Sequence, residues 1–116
     1  MTPEGKVKKK VAELLKRYEA YYFFPAMGSF GRAGVPDIIG CYRGYFFAVE
    51  CKAGKGKTTA LQDAEIEKIR KVGGKAFVVN ETNIEILETY LKEHHGRQRR
   101  ILRTGKNIHQ STRVTF

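Results

Sequence analysis

Asp37, Glu50 and Lys52 are the residues whose types and spacing could support chemistry on a phosphate. Glu50 and Lys52 stand two positions apart in the stretch from Phe46 to Lys52. Because side chains alternate between the two faces of a strand, both project from the same face if this stretch is extended. A carboxylate and an ammonium group on one face of an otherwise apolar strand are not typical of a solvated surface, so we expect this strand to be internal to its sheet.

A hairpin register brings the second carboxylate to the first. If residues 43–44 form a two-residue loop, Asp37 lies directly across from Glu50, with Cβ atoms about 4.5–5.5 Å apart. Two facing carboxylates are destabilising unless a positive charge lies between them, which either Lys52 or a divalent cation would supply. Mg²⁺ prefers such oxygen ligands, with water and phosphate completing its shell. The spacing predicts a metal site for a phosphate substrate, whereas a slip of one residue would separate the two acids.

Two further polar residues lie on the apolar faces of predicted helices. Glu4 precedes the apolar stripe of the first helix by one turn, and Gln62 lies on the apolar face of the second helix. A polar group aimed inward needs a partner. The alternative for Glu4 is a favourable interaction with the helix dipole, and the alternative for Gln62 is a capping box with Thr59. Together with the two facing carboxylates, we interpret both as members of the site.

The periodicity of apolar residues predicts seven elements to position these side chains. Thr2 and Pro3 open a helix over 3–20, and Thr82 with Glu85 has capping-box spacing before a last helix that ends near 94. The order is αβββαβα, and a central mixed sheet flanked by helices is expected. The remaining predicted elements are strands over 21–24, 35–42, 45–52 and 75–80 and a helix from 59 to 73.

These motifs, in this order, resemble the PD-(D/E)xK nuclease superfamily. Residues 34–37 read Gly-Val-Pro-Asp, residues 50–52 read Glu-Cys-Lys, and Gln62 follows. More narrowly, the pattern is similar to the VRR-NUC family, whose members show a G-x-P-D strand, an E-x-K strand and a downstream glutamine. The resemblance covers about residues 1–93 and implies a restriction-endonuclease-like αβββαβ core.

The resemblance also implies a role for each motif residue. Asp37 and Glu50 would bind Mg²⁺ or Mn²⁺, with the backbone carbonyl of Cys51 as a further ligand and Glu4 binding directly or through water. Lys52 would orient the attacking water and help to neutralise the phosphate, and electrostatic stabilisation is its expected contribution because neighbouring carboxylates favour a charged lysine. Gln62 would position Lys52 or the water.

Other polar residues could contact DNA. Ser29 and Arg32 lie in the glycine-containing loop before Asp37, where an ordinary flexible loop is about equally expected. Lys55 and Lys57 follow the strand of Glu50 and could contact phosphates, with a solvated loop as the alternative. The aromatic run 21–24 is expected in the core rather than in a base-stacking platform, and both cysteines, Cys41 and Cys51, are expected to be buried.

Charge favours a polyanionic partner. The 116 residues carry 22 Lys and Arg against 12 Asp and Glu, a net charge of +10. The excess is concentrated after residue 93, where six basic residues occur with no acidic one. We therefore expect a nuclease domain over 1–95 and a basic tail over 96–116. No apolar run is long enough for a membrane helix or a signal peptide, so a cytoplasmic protein is expected.

Taken together, the resemblance and the charge predict a metal-dependent, structure-selective DNA endonuclease. A small stand-alone member with one site per chain suits a homodimer that makes paired cuts in a four-way (Holliday) junction. The alternatives are a flap- or nick-directed nuclease and a basic DNA-binding module without catalysis.

Overall fold

The computed structural model describes residues 1–26 and 32–96. Within these residues, three helices and one four-stranded sheet follow each other in the predicted αβββαβα order. The predicted serine at 29 and the basic tail beyond residue 96 lie outside the described residues. The elements are α1 (Pro3–Arg17), β1 (Tyr21–Phe23), β2 (Ile38–Tyr42), β3 (Tyr45–Cys51), α2 (Ala60–Lys71), β4 (Lys75–Val79) and α3 (Glu85–His95).

The first helix begins as its sequence predicts. The side-chain oxygen of Thr2 accepts a hydrogen bond from the backbone N–H of Gly5 at 3.0 Å, and Pro3 takes the first helical position. The helix ends at Arg17, three residues earlier than expected, because Glu19 adopts a left-handed conformation with φ of 59°. The apolar stripe of α1 is buried and consists of Val7, Val11, Leu14 and Leu15.

The predicted hairpin register between β2 and β3 is confirmed. Tyr42 pairs with Tyr45 and Ile38 pairs with Val49. The two loop residues, Arg43 and Gly44, both have positive φ, which matches the twist that a two-residue hairpin loop needs. Strand β2 starts three residues later than expected, so Asp37 precedes the ladder by one residue instead of lying within it.

Strand β3 is internal to the sheet. The strand order is β1-β2-β3-β4, with antiparallel pairs up to β3 and a parallel pair between β3 and β4, so the predicted mixed sheet is confirmed. Phe47, Val49 and Cys51 enter the hydrophobic core together with α1 and α3. Because side chains alternate, Ala48 and Glu50 project to the opposite face, where α2 packs.

The two predicted capping boxes have different outcomes. At α2, Thr59 and Gln62 exchange both hydrogen bonds of the box. At α3, the second prediction is wrong: the helix starts after Ile84, for which no side-chain cap is present among the described residues. Thr82 instead donates its hydroxyl to the side chain of Asn80 at 2.7 Å, since a turn occupies residues 81–84.

Two expectations about burial are also wrong. Cys41 is exposed, whereas Cys51 is buried as expected. In the aromatic run, Tyr21, Phe23 and Phe24 are exposed and only Tyr22 packs against the core, because β1 is an edge strand whose outer face α2 does not cover. Over residues 1–26 and 32–96, no helix is long and apolar enough to cross a membrane.

Candidate active site

The two predicted acids meet at one end of the β2–β3 hairpin. Asp37 lies just before β2, and its Oδ2 accepts a hydrogen bond from the backbone N–H of Cys51 at 2.9 Å. Glu50 is the neighbour of Cys51 in β3, on the face beneath α2. The confirmed hairpin register therefore brings the two carboxylates side by side, as the sequence predicts.

Glu50 is buried with its two oxygens in different states. Its side chain is 3% exposed. Oε2 accepts a hydrogen bond from Gln62 Nε2 at 3.0 Å and lies 3.5 Å from Lys52 Nζ. No N–H or hydroxyl donor from the described residues reaches Oε1, although the carboxyls of Glu50 and Asp37 lie within hydrogen-bonding reach of each other. A buried carboxylate oxygen without such a donor is costly, so this atom indicates a site that a cation or a donor from a ligand would complete.

The electrostatics of Glu50 follow from this environment. Burial is the largest cause that raises the pKa of the Glu50 carboxyl from 4.5 to about 7, and the negative charge of Asp37 adds to it. The ammonium group of Lys52 acts in the opposite direction but does not compensate. The charged form of Glu50 is therefore disfavoured near neutral pH, and a cation bound beside it would favour that form again.

Gln62 performs two functions that the sequence presented as alternatives. Its Oε1 accepts from the backbone N–H of Thr59 at 2.9 Å, which completes the capping box. Its Nε2 donates to Glu50 at 3.0 Å. The capping box fixes the rotamer of Gln62, and the amide group thereby holds one oxygen of Glu50 in place.

Lys8 is a site residue that the sequence analysis missed. Its Nζ lies 3.4 Å from Asp37 Oδ1 and 4.0 Å from Glu4 Oε2. Burial of Lys8 opposes its charge, but the attraction of Asp37 and Glu4 prevails and raises the pKa of Lys8. The i, i+4 spacing from Glu4 places Lys8 on the same helix face and could have indicated it.

The structure does not place Glu4 beside the other two acids. Its side chain is 43% exposed rather than aimed inward, and Lys8 stands between Glu4 and Asp37. No group of three or more His, Cys, Asp or Glu side chains that could hold a metal is found in the described part of the chain. Two carboxylates nevertheless fit Mg²⁺, which often takes one or two and keeps water and phosphate oxygens for the rest.

Cys51 lies in the core and not in the space between the carboxylates. Burial, followed by the charge of Asp37, raises the pKa of its thiol to about 12. A protonated thiol is a poor metal ligand. Only the backbone carbonyl of Cys51 was predicted as a ligand, and that prediction stays open.

The predicted DNA contacts have different positions. Lys55 and Lys57 are exposed in the loop directly after Lys52. Arg32 is exposed but its Nη2 lies 2.8 Å from Oε1 of Glu65, a buried carboxylate on α2 that the sequence analysis did not single out. An acid one turn after Gln62 was the available signal.

The mixed sheet with flanking helices, and the Asp, Glu and Lys at the end of its hairpin, define a protein of the PD-(D/E)xK nuclease superfamily. A family model described as archaeal Holliday junction resolvase (Hjc) matches residues 20–89. Because this match covers more than half of the chain, the protein belongs to that family. No curated protein matches the chain.

The matched segment contains Asp37, Glu50, Lys52 and Gln62 but starts after α1. The match therefore adds nothing to the prediction for Glu4. The predicted superfamily is confirmed, whereas the narrower resemblance to the VRR-NUC family stays a prediction.

Proposed function

We propose that this chain is a metal-dependent endonuclease that resolves four-way DNA junctions as a homodimer. Membership of the archaeal Holliday junction resolvase family supports the reaction and the branched substrate. The observation that carries the proposal for the site is the difference between the two oxygens of Glu50. Oε2 contacts Gln62 and Lys52, whereas the buried Oε1 receives no N–H or hydroxyl donor from the described residues.

Asp37 is also held through one oxygen, but its other oxygen has a cationic partner. One of its oxygens is held by the backbone N–H of Cys51, and the other faces Lys8. Each carboxylate therefore has one oxygen that fixes its orientation and one that faces a cation or the bare side of the site. Such preorganised acids would hold Mg²⁺ or Mn²⁺, as the resemblance implies, together with the Cys51 carbonyl and, directly or through water, Glu4.

The chemistry divides between the ion and the chain. When bound, the ion would lower the pKa of a water molecule and neutralise charge on the scissile phosphate. Lys52 places a positive charge 3.5 Å from Glu50, where it would stabilise the additional negative charge of the pentavalent transition state and orient the water. Gln62 keeps Glu50 from rotating away from this position.

Additional cations would bind the backbone of the junction. Lys55 and Lys57 are exposed in the loop that follows Lys52. The basic residues of the tail over 96–116 would contribute further phosphate contacts. Each phosphate contact should steepen the salt dependence of binding by about 0.9 in the logarithmic slope. An unchanged slope after replacing the tail arginines with glutamine would remove the tail from the interface. A DNA substrate also fits a cytoplasmic protein.

Two identical sites related by a two-fold axis suit a substrate that needs two symmetric cuts. The described residues offer a surface for such pairing, the β1–β3 apolar face, formed by the exposed side chains Tyr21, Phe23, Cys41 and Phe46. Tyr21, Cys41 and Phe46 form one row across the three strands. Phe46→Glu should shift the sedimentation mass from dimer to monomer, whereas Ile86→Glu, on the exposed side of α3, should not. A wild-type monomer at micromolar concentration would refute the dimer.

The decisive experiment compares a four-way junction, a flap, a linear duplex and a single strand in Mg²⁺ or Mn²⁺. We expect paired symmetric cuts in the junction by the wild type and none by Lys52→Ala. Cleavage of the flap or of nicked duplex instead would favour the flap- or nick-directed alternative. Junction binding that is equal with and without chelator, and never followed by cleavage, would leave a non-catalytic DNA-binding module.

A further inference from the structure

Glu65 is a buried carboxylate that the proposed reaction does not use. It lies on α2, one turn after Gln62, and is 6% exposed. Oε1 of Glu65 is 2.8 Å from Arg32 Nη2, and Oε2 is 3.3 Å from Lys68 Nζ. Lys68 belongs to the same helix, whereas Arg32 belongs to the segment that leads into Asp37. The pair with Arg32 therefore connects α2 to this segment.

Gly34 gives independent evidence that the same segment is docked on α2. It has a φ of +84°, and a Cβ atom added to it would lie 2.5 Å from the carbonyl oxygen of Leu61 and 2.9 Å from the backbone nitrogen of Gln62. The backbone of Gly34 thus packs against the first turn of α2 with no space for a side chain. An ion pair and a close backbone contact hold residues 32–34 at two different points of this helix.

The two connected parts of the chain each position one carboxylate of the site. The first turn of α2 carries Gln62, which holds Glu50 at 3.0 Å. The segment that starts at Arg32 ends at Asp37, which is held by Cys51 at 2.9 Å. A displacement of the segment on α2 would therefore change the distance between the two carboxylates.

We propose that Glu65 is a positioning residue: its ion pair with Arg32 docks residues 32–34 on α2 and so sets Asp37 relative to Glu50 for metal binding. This inference rests on the proposed function of the site. It assigns Arg32 a structural task that precedes any contact with DNA. The pair holds a geometry rather than the fold, because an ion pair whose arginine is 74% exposed adds little to stability.

Lys68 and Gly73 provide matched controls for the test. Lys68 contacts the other oxygen of the same carboxylate but not the segment. Gly73 has a φ of +93°, close to that of Gly34, yet no atom of residues 1–26 or 32–96 lies within 4 Å of an added Cβ atom. Lys68→Gln thus removes a charge partner of Glu65 without undocking the segment, and Gly73→Ala imposes backbone strain without a collision.

The experiment measures Mn²⁺ binding by calorimetry without DNA and single-turnover cleavage of a four-way junction, with the full chain. Arg32→Gln and Glu65→Gln should each weaken Mn²⁺ binding and slow cleavage about threefold to fivefold, which is the most that an exposed ion pair contributes. Gly34→Ala should slow cleavage about tenfold or more, because its Cβ atom would collide with the backbone of α2 and small misplacements of reacting groups are costly. The double variant Arg32→Gln/Glu65→Gln should lose no more Mn²⁺ affinity or cleavage rate than the more impaired of the two single variants. Arg32→Lys should restore part of the loss, and both controls should stay within about twofold of the wild type.

Several results would overturn the inference. Glu65→Gln with wild-type Mn²⁺ affinity would do so, as would a defect of Arg32→Gln that is confined to junction binding, because Arg32 would then be only a DNA contact. A wild type that binds Mn²⁺ but cuts no DNA would refute the proposed nuclease function alone. A wild type that binds no Mn²⁺ would refute both.

Discussion

The two faces of β3 carry out opposite tasks with neighbouring residues. On one face, Phe47, Val49 and Cys51 are fully buried among the apolar side chains of α1 and α3. On the other face, Glu50 is equally buried, but one of its oxygens receives no N–H or hydroxyl donor from the described residues. Burial of the first face stabilises the fold because apolar surface is removed from water. The second face keeps a buried carboxyl whose charge is unfavourable until a ligand neutralises it.

Burial alone therefore does not distinguish a core residue from a site residue in this protein. The alternation along one strand supplies both, and the rigid core face holds the residues of the site face in position. A site built on an internal strand is more precisely fixed than one built on a loop. Substitutions on the site face should therefore lower activity, whereas substitutions on the core face should lower stability.

The largest effect is expected for Glu50→Gln, which breaks the site face alone. Junction cleavage should fall on the order of 10³-fold, about 4 kcal/mol, because the ligand charge for the ion is lost. Junction binding in the absence of cleavage should be kept. The control is Glu67→Gln, since Glu67 lies on α2 with a side chain that is 70% exposed. Cleavage by Glu50→Gln at the wild-type rate would remove Glu50 from the site.

Val49→Ala breaks the core face next to the same residue. Loss of two buried methyl groups and the resulting cavity should lower the free energy of unfolding by about 2 kcal/mol, as measured by urea denaturation. Cleavage well below the melting temperature should stay within about twofold of the wild type. Val72→Ala, at a position 86% exposed, should change neither quantity. A cleavage defect without loss of stability would contradict the separation of the two faces.

The charge on Glu50 should also make the metal-free protein less stable as the pH rises. The pKa of Glu50 is raised from 4.5 to about 7 in the folded protein, so the unfolded chain loses its proton first. Between these values the folded state binds more protons, and the free energy of unfolding should fall by about 3 kcal/mol from pH 4.5 to pH 8 from this group. Glu50→Gln should remove this part of the pH dependence in chelator. If the free energies of unfolding of the two proteins changed with pH in parallel, the pKa of Glu50 would not be raised in the folded state.

The smallest effect is expected for Lys8→Gln, which tests how a cation next to Asp37 affects the site. Removal of a cation 3.4 Å from Asp37 should tighten Mn²⁺ binding about threefold to fivefold, equivalent to at most about 1 kcal/mol for a pair of this exposure. Junction affinity should decrease, because a phosphate loses a positive neighbour. Lys10→Gln, on the exposed side of α1, should leave Mn²⁺ affinity unchanged. Weaker Mn²⁺ binding by Lys8→Gln would show that Lys8 supports the site in another way.

Local patterns in the sequence predicted much of the fold. The order of elements, the hairpin register and the cap of α2 depend on neighbours within a few residues, and all three are confirmed. The cap of α3 was wrong because the side chain of Asn80 competes for Thr82. The prediction that the aromatic run 21–24 is buried was wrong because burial depends on which parts of the sheet α2 covers.

For the site, local sequence patterns were enough to predict the facing acids, the shared face of Glu50 and Lys52, and the basic charge of the chain. These follow from the twofold period of a strand and from a two-residue loop, which are local geometry. Three contacts could not be predicted in this way. Gln62 binds Glu50, Lys8 separates Glu4 from Asp37, and Glu65 pairs with Arg32. These contacts join separate elements, and their distances are set by how the helices pack on the sheet rather than by any spacing along the chain.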